Sequence, residues 1–167
     1  FMYFDEDHLL EIRLHTLFNY VDKFVIVEAD LDHAGNVRKP QFNIEKFSKF
    51  KSKIEYILIK NLLSNNNFYK KNWGPSWRRE NLQRNALSKG YDLCDQNDLI
   101  MISDLDEIPN PKRISQFTKK NKYGCFIQKN FLYKFNLLNI DEPKWYGTRI
   151  CRKKDLKNPQ WLREIKV

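Results

Sequence analysis

The strongest constraint on the fold is a short apolar run that ends in a cluster of carboxylates. Residues 99–102 are all apolar, and after Ser103 three acids, Asp104, Asp106 and Glu107, fall within four positions. A continuous apolar run of this kind is typical of a buried strand in a parallel sheet. Ligands of open α/β sheets bind just beyond the carboxyl ends of such strands. The run therefore predicts an α/β fold with a site at the end of this strand.

The spacing of Asp104 and Asp106 favours a metal site. In an extended chain their side chains would point the same way, with roughly 6.6 Å between the Cα atoms. At an effective dielectric constant of about 20, two unit charges at that separation repel by ~2.5 kcal/mol. A divalent cation would relieve this repulsion. An acidic turn that only caps the strand is the alternative.

Size and cysteine content limit the class of protein. The 167 residues suffice for one domain with a hydrophobic core but not for two. No stretch approaches the roughly 20 apolar residues of a membrane span, and the first residues lack the layout of a signal peptide. Cys94, Cys125 and Cys151 are far apart, which favours reduced thiols. We therefore expect a cytoplasmic protein, associated with a membrane only through further parts of the chain.

The net charge of +9 favours an anionic partner without identifying it. The basic residues are spread along the chain, so a solvated basic surface explains them as well as a nucleic-acid-binding stripe does. A nucleotide diphosphate substrate fits this charge too. A non-catalytic nucleic-acid-binding domain is the alternative function. A phosphoryl or nucleotidyl transferase is not favoured, because the chain has no glycine-rich phosphate loop.

The order of periodic segments predicts how the domain is organised. A helix with leucines at helical spacing begins near Asp5, and a strand follows at residues 24–27. Asn43 is placed to cap a short helix before the strand at residues 54–59. The asparagine-rich segment at residues 61–74 predicts a loop. The remaining predicted elements are a helix from Ser76 to Lys89 capped by Gly90, the acidic strand, a helix from Lys112 to about Lys119, and short strands at residues 125–128, 131–135 and 145–150.

Two kinds of β structure are expected. Strands that alternate with helices predict a Rossmann-like parallel sheet, and the later strands without helices between them predict a mixed or antiparallel β region. We expect a single domain over residues 1–167, in which the parallel part gives way to the mixed or antiparallel β region near residue 110.

Several motifs follow one another along nearly the whole chain. They are Phe4 with Leu10-Glu11-Ile12-Arg13-Leu14, Val21-Asp22 with Phe24 to Glu28, Trp77-Arg78-Arg79-Glu80 with Gln83-Arg84-Asn85-Ala86, Ile102 to Pro109, and Trp145 with Gly147-Thr148-Arg149. In this order they resemble the motifs of glycosyltransferase family 17. The block from Asp104 to Pro109, Asp-x-Asp-Glu-Ile-Pro, is the most specific of these motifs, whereas Asp-x-Asp alone would be a weak signal.

The resemblance implies a GT-A-like fold and a metal-dependent, inverting glycosyltransferase. The expected partners are a UDP-sugar donor, with N-acetylglucosamine as the expected sugar, and a glycan acceptor that offers a hydroxyl group. Polymeric nucleic acid is not an expected partner. Family members are usually longer, so we expect a GT-A-like domain that is incomplete at its C-terminus. Residues 1–110 would form the nucleotide-sugar-binding half, and residues 111–167 the start of the acceptor-binding half.

The resemblance also assigns roles to the acidic cluster. Asp104 and Asp106 are the expected residues that hold Mn²⁺ or Mg²⁺ against the donor diphosphate. Within this pair, Asp106 is expected to bind the metal directly, and Asp104 is expected to contact the ribose of the donor. Glu107 is a candidate for orienting the metal's ligands or for acting as the catalytic base. A carboxylate that caps the turn before Pro109 is an equal alternative for Glu107.

Further donor contacts are expected from two other parts of the chain. Glu28 and Asp30 follow the first strand, where GT-A proteins usually bind the nucleoside; solvated loop acids are the alternative. Arg84 is expected to reach the diphosphate or to fix the acidic strand end, and a surface ion pair with Glu80 is the alternative. Arg13 lies within an apolar helix face and is expected to be a structural ion-pair partner of Glu28.

The acceptor side is less defined by the sequence. Trp145 and Arg149 lie in the later β region, where GT-A enzymes bind their acceptors, and are expected acceptor contacts. The catalytic base is not identified. Asp141, Glu142 and Glu164 lie in the appropriate half, and a position beyond residue 167 is the alternative.

Overall fold

Helices and strands alternate in the first part of the chain, and strands predominate after it. The computed structural model describes residues 1–60, 74–134 and 136–166, so almost all of the predicted loop at residues 61–74 lies outside the described residues. The helices are α1 (Asp7–Leu17), α2 (Pro75–Asn85) and α3 (Pro159–Glu164), and the strands are β1 (Phe24–Ala29), β2 (Ile54–Ile59), β3 (Leu99–Ile102), β4 (Tyr123–Lys129) and β5 (Lys144–Arg152). Short 3₁₀ helices span Ile44–Lys53, Ala86–Gly90, Pro111–Gln116 and Lys153–Asp155.

Helix α1 is stabilised by its apolar face. Leu10, Leu14 and Leu17 recur at helical spacing and are buried. They pack in one cluster with Phe24 and Ile26 of β1. A helix of 11 residues is marginal in isolation, so this packing rather than intrinsic propensity holds it. The predicted helix is confirmed.

Strands β1 and β2 pair in parallel, in a register that runs from Phe24 opposite Ile54 to Ala29 opposite Ile59. The connection between them contains the 3₁₀ helix Ile44–Lys53, which the Asn43 side chain caps by accepting from the Glu45 amide (3.0 Å). The predicted parallel pair and the predicted cap are therefore both confirmed.

Strand β3 departs from the prediction. It pairs antiparallel with β5, and the second sheet has the order β3-β5-β4. The free edge of β1 is used by the first residues instead, because the Tyr3 amide donates to the Val27 carbonyl (2.9 Å) and the Val27 amide donates to the Phe1 carbonyl (3.1 Å). A cavity of about 420 Å³ lies between β1 and β3. The expected three-stranded parallel sheet is therefore wrong among the described residues, whereas the α/β class and the later antiparallel region are confirmed.

Two smaller predictions are also corrected. The helix expected to reach Lys89 ends as an α-helix at Asn85 and continues as a 3₁₀ helix. Gly90 is required for close packing rather than as a cap, since a Cβ there would lie 2.3 Å from Cγ1 of Val25. Of the strand expected at residues 131–135, residue 135 lies outside the described residues, and residues 131–134 retain only an isolated pairing of Phe131 with Leu138.

The structure also describes the helices' fitness to span a membrane and the state of the cysteines. No helix within the described ranges is long and apolar enough to cross a membrane. Cys94, Cys125 and Cys151 are not joined by disulfides.

We expect Leu14→Ala to lower the free energy of unfolding by about 2–5 kcal/mol, because it leaves a cavity under α1 where the side chain is fully buried. Ile12→Ala on the same helix is the control; its side chain is 46% exposed, so its cost should stay below about 1 kcal/mol. Urea denaturation measures both values, and similar losses for the two variants would contradict the packing described for α1.

Candidate active site

The acidic loop, residues 103–108, follows β3 and forms a tight turn. The Glu107 amide donates to the Asp104 carbonyl (3.2 Å), and the Asp104 amide donates to the Glu107 carboxylate (3.0 Å). The chain is therefore not extended here, and the expected geometry of two aligned aspartates does not hold. Glu107 is buried, Asp104 is partly exposed and Asp106 is exposed. Asp104 and Asp106 still line the same cleft.

A buried arginine of α1 fixes the backbone of the acidic loop. Nη1 of Arg13 lies 3.1 Å from each of the carbonyl oxygens of Asp104, Leu105 and Glu107. Its Nη2 donates to Ser103 Oγ at 2.5 Å. A planar fork of donors suits this arrangement, since a tight turn leaves several carbonyls without backbone partners.

The expected ion pair of Arg13 with Glu28 is wrong. Burial lowers the pKa of Arg13 to about 10, while the charges of Glu107, Asp106 and Asp104 act in the opposite direction. Arg13 is therefore still charged at neutral pH, and its charge lies beneath the acids of the loop.

Two arginines from different helices hold the Asp104 carboxylate. Arg84 of α2 donates to Oδ1 and Arg163 of α3 to Oδ2, each at 3.0 Å. Burial raises the pKa of Asp104, but the charges of Arg84 and Arg163 outweigh that effect and place the pKa below its usual value. Asp104 is therefore ionised at neutral pH, and the protein itself balances its charge.

Arg84 makes two of the three interactions expected for it, the pair with Glu80 and the contact with the acidic loop. Its Nη2 pairs with Glu80 one turn earlier (2.7 Å) as well as with Asp104, and its Nη1 donates to Gln160 of α3 (2.5 Å). The side chain is only 4% exposed, so this is a buried network rather than a surface ion pair. Arg84 thus fixes the acidic loop, and a contact with the diphosphate stays a prediction.

Glu107 is held on both carboxylate oxygens. Oε1 accepts from the indole N–H of Trp145 (2.6 Å) and from Arg163, and Oε2 accepts from the Asp104 amide (3.0 Å). These contacts support the alternative in which Glu107 stabilises the turn. A role as catalytic base stays a prediction that this arrangement does not favour.

Glu28 lies at the end of β1 and is completely buried. Its Oε1 accepts from Arg38 (2.8 Å) and from the Gln41 amide (2.7 Å), and its Oε2 accepts from the Tyr56 hydroxyl (2.8 Å) and the Phe42 amide (3.1 Å). These bonds organise the segment after β1, so the arrangement favours a structural role over the predicted donor contact.

A cleft of about 280 Å³ opens beside the acidic loop. The first residues, the segment after β1, and α2 all reach it, and the residues that line it include Tyr3, Phe4, Glu6, His33, Gln83, Asp104 and Asp106. Nε2 of His33 lies 3.1 Å from Oε1 of Gln83. Asp30 is partly buried in the same segment after β1, where its carbonyl accepts from the Arg38 amide (2.8 Å).

The two expected acceptor residues differ in what their side chains offer. Trp145 is 45% exposed beside the acidic loop, so part of its ring faces solvent. Arg149 is partly buried and donates to the carbonyls of Tyr146 (2.7 Å) and Gly147 (2.8 Å) within its own strand. An acceptor contact is therefore more accessible to Trp145 than to Arg149, and both stay predictions.

The candidate bases show no arrangement typical of a base. Asp141 and Glu142 are exposed, and Glu164 accepts from Gln160 within α3 (2.9 Å). None of these observations selects one of them.

Sequence reasoning missed α3 and its Arg163. The signal was present, because Asn158 caps the helix by accepting from the Trp161 amide (2.8 Å) and Pro159 occupies the first helical position. The contacts of Arg163 with Asp104 and Glu107 could not be anticipated in this way, since they join residues 59 and 56 positions apart.

The carboxylates fit a metal ion only in part. Within the described ranges, no group of three or more His, Cys, Asp or Glu residues is arranged to hold one. The Asp106 carboxylate is exposed and receives no hydrogen bond from any residue that the structure describes, whereas Asp104 is paired with two arginines. Asp106 can thus offer oxygen ligands to a cation, and further ligands would have to come from substrate and water.

Comparison with known proteins supports the resemblance inferred from the motifs. The sequence model of glycosyltransferase family 17 matches residues 1–158. No curated protein and no solved structure matches the chain.

Arg13→Lys should lower the free energy of unfolding by about 2–4 kcal/mol, because one ammonium group cannot reach all the acceptors that the guanidinium reaches, and a buried acceptor left unpaired costs ~1–3 kcal/mol. Denaturation at neutral pH measures the loss. Glu11→Gln, at an exposed position of the same helix, is the control and should stay within about 0.5 kcal/mol of the wild type. Wild-type stability of Arg13→Lys would contradict the role given to the fork.

Acidification should destabilise the protein partly through Asp104. Its pKa in the folded state lies below the unfolded value of about 3.9, so its stabilisation is present above that value and is lost as the pH falls through the folded-state pKa. Asp104→Asn should therefore lose less unfolding free energy than the wild type between about pH 7 and about pH 3. Equal losses in the two proteins would show that Asp104 carries no such coupling.

Proposed function

This chain belongs to glycosyltransferase family 17, and we propose that it transfers N-acetylglucosamine from a UDP-sugar to a hydroxyl group of a glycan, with inversion at the transferred carbon. The observation that carries the proposal is the exposed Asp106 carboxylate at a cleft, next to an Asp104 that is held by two arginines. In this pair, the Asp106 carboxylate is available to bind a ligand, whereas the Asp104 carboxylate holds the loop in place.

The proposed fold is of the GT-A type. The parallel β1–β2 pair, the acidic loop at the end of β3 and the antiparallel sheet after it support this assignment. In that fold, residues 1–110 would bind the nucleotide sugar, and residues 111–167 would begin the acceptor-binding half. A cytoplasmic location is part of the proposal, and the three cysteines without disulfides are consistent with it.

The donor would occupy the cleft beside the acidic loop. Its walls offer the aromatic ring of Phe4 and the polar groups of His33 and Gln83, which can contact a base and a ribose. Asp30 remains a candidate donor contact because it lies in the segment that leads to His33. Arg84, at the back of the acidic loop, would act on the donor mainly by fixing Asp104.

Mn²⁺ or Mg²⁺ fits the Asp106 carboxylate, with Asp104 as the neighbouring acid. When bound, such an ion would neutralise charge on the departing diphosphate. The protein's own contribution is to keep the Asp106 carboxylate free and facing the cleft, since Arg13 holds the loop backbone and Arg84 holds Asp104.

The transfer is proposed as a single displacement. The acceptor oxygen forms a bond to the sugar's C1 as the bond from C1 to the UDP oxygen breaks, and the hydroxyl proton passes to a base that the sequence and structure do not identify. Trp145 presents an exposed ring beside the acidic loop, where it can stack on a sugar of the acceptor.

The rival function, nucleic-acid binding, has one observation in its favour. Several cations line a separate cleft at the other end of β3 from the acidic loop, among them Lys119, Lys120, Lys122, Arg152 and Lys154. Binding to a phosphate backbone through such a surface would weaken steeply with salt and would need no divalent ion.

Calorimetry with UDP in the presence of Mn²⁺ should detect binding that EDTA abolishes. Asp106→Asn should weaken it at least about tenfold, equivalent to ~1.4 kcal/mol, because it removes an anionic ligand without altering the size of the side chain. Asp92→Asn, which removes an exposed acid before the start of β3 whereas the acidic loop follows its end, is the matched control and should bind as the wild type does.

The same titrations separate the rival function. UDP binding that is independent of metal and of Asp106 would contradict the proposed metal site. Failure to bind UDP together with salt-sensitive binding of RNA would replace the transferase proposal with its rival.

A further inference from the structure

Helix α3 lies beyond residues 1–158, which the family model matches, yet it contributes two side chains to the site. Arg163 donates to Asp104 (3.0 Å) and to Glu107. Gln160 accepts from Arg84 at 2.5 Å. The helix therefore contacts the acidic loop directly and also contacts the arginine of α2 that pairs with it.

The contacts of Arg163 join the acidic loop to β5. Its Nη1 donates to the carbonyl of Gly147 in β5 (3.1 Å). Two residues earlier in the same strand, Trp145 donates its indole N–H to Oε1 of Glu107 (2.6 Å), the oxygen that Arg163 also contacts. One guanidinium and one indole thus hold the loop and the strand together.

Arg163 also balances charges that would otherwise repel. The side chain of Glu107 is 3% exposed and that of Arg163 is 14% exposed, so water screens their interaction only weakly. Among the described residues, and apart from the exposed Asp106, opposite charges are equal in number around the loop: the carboxylates of Glu80, Asp104 and Glu107, and the guanidinium groups of Arg13, Arg84 and Arg163. Without Arg163, Glu107 would keep a buried charge that no other described residue pairs with as a salt bridge.

We propose that Arg163 is a positioning residue of the donor site, which orders the acidic loop so that Asp106 faces the cleft and thereby sets the affinity for a nucleoside diphosphate. It acts through Asp104 and Glu107 without needing to touch the donor. The identity of the ligand rests on the proposed function, whereas the ordering of the loop does not.

The first test measures loop order without any ligand. Amide hydrogen exchange of Asp104 and Glu107, followed by NMR, should be at least about tenfold faster in Arg163→Gln, because the Glu107 carboxylate that receives the Asp104 amide loses its ion-pair partner. The amides of Ile26 and Val27 in β1 should exchange at wild-type rates. Lys166→Gln removes the same charge from an exposed position nearby and should leave all four rates unchanged.

The second test measures affinity. Arg163→Gln should bind UDP with Mn²⁺ at least about tenfold more weakly than the wild type and Lys166→Gln, a loss of ~1.4 kcal/mol. Arg163→Lys keeps the charge but not the fork, and it should show smaller changes in the same direction. If Arg163→Gln does not fold, both the exchange and the affinity measurements are made on Arg163→Lys.

Each outcome decides a different part of the inference. Wild-type exchange at Asp104 and Glu107 overturns the ordering role, and wild-type UDP affinity in a variant with a loosened loop overturns its link to the donor. Faster exchange in β1 as well would reduce Arg163 to a general structural role. If the wild type binds no UDP, the proposed function and the ligand part of this inference both fail, while the exchange rates still decide the ordering role.

Discussion

The acidic loop depends on one buried guanidinium. Arg13 lies under the turn and binds three of its carbonyls and the Ser103 hydroxyl, so a side chain of the first helix determines the backbone path of residues 104–107. A turn that must place one carboxylate inward and another outward leaves carbonyls that no strand can pair. The fork of Arg13 satisfies them and supplies positive charge beneath the acids, which allows three carboxylates to lie within four positions of the chain.

Around this centre, each acid has a different environment. Asp104 is balanced by Arg84 and Arg163, Glu107 is enclosed by Arg163 and Trp145, and Asp106 is left to solvent. The protein thus compensates the two inner charges and leaves the outer one uncompensated. A charge that folding does not neutralise is available to a ligand, and Asp106 is therefore the proposed binding position of the cation.

The local features of the chain could be predicted from sequence, and its distant contacts could not. The leucine spacing of α1, the Asn43 cap and the position of the acids after β3 follow from patterns within a few residues, whereas the tight turn that the acids form does not. The antiparallel pairing of β3 was missed because its four apolar residues carry no signal of strand direction, and the first residues took the edge of β1. Glu28 was expected to contact the donor because the sequence shows neither that its side chain is buried nor that four groups of the protein donate hydrogen bonds to it. Arg13 was correctly expected to be structural, but its acceptors lie 90 to 94 positions away.

The network around the acidic loop joins residues that are far apart in the sequence, and this affects how the protein folds. Arg13 and Asp104 are 91 positions apart, and Asp104 and Arg163 are 59 apart. Closing such loops costs entropy before the contacts repay it, so structures rich in distant contacts fold slowly. The parallel pair of strands joins residues only 30 positions apart, such as Phe24 and Ile54, whereas the acidic loop is complete only when α1 and α3 have both docked. During synthesis the site therefore cannot assemble until α3 has emerged from the ribosome.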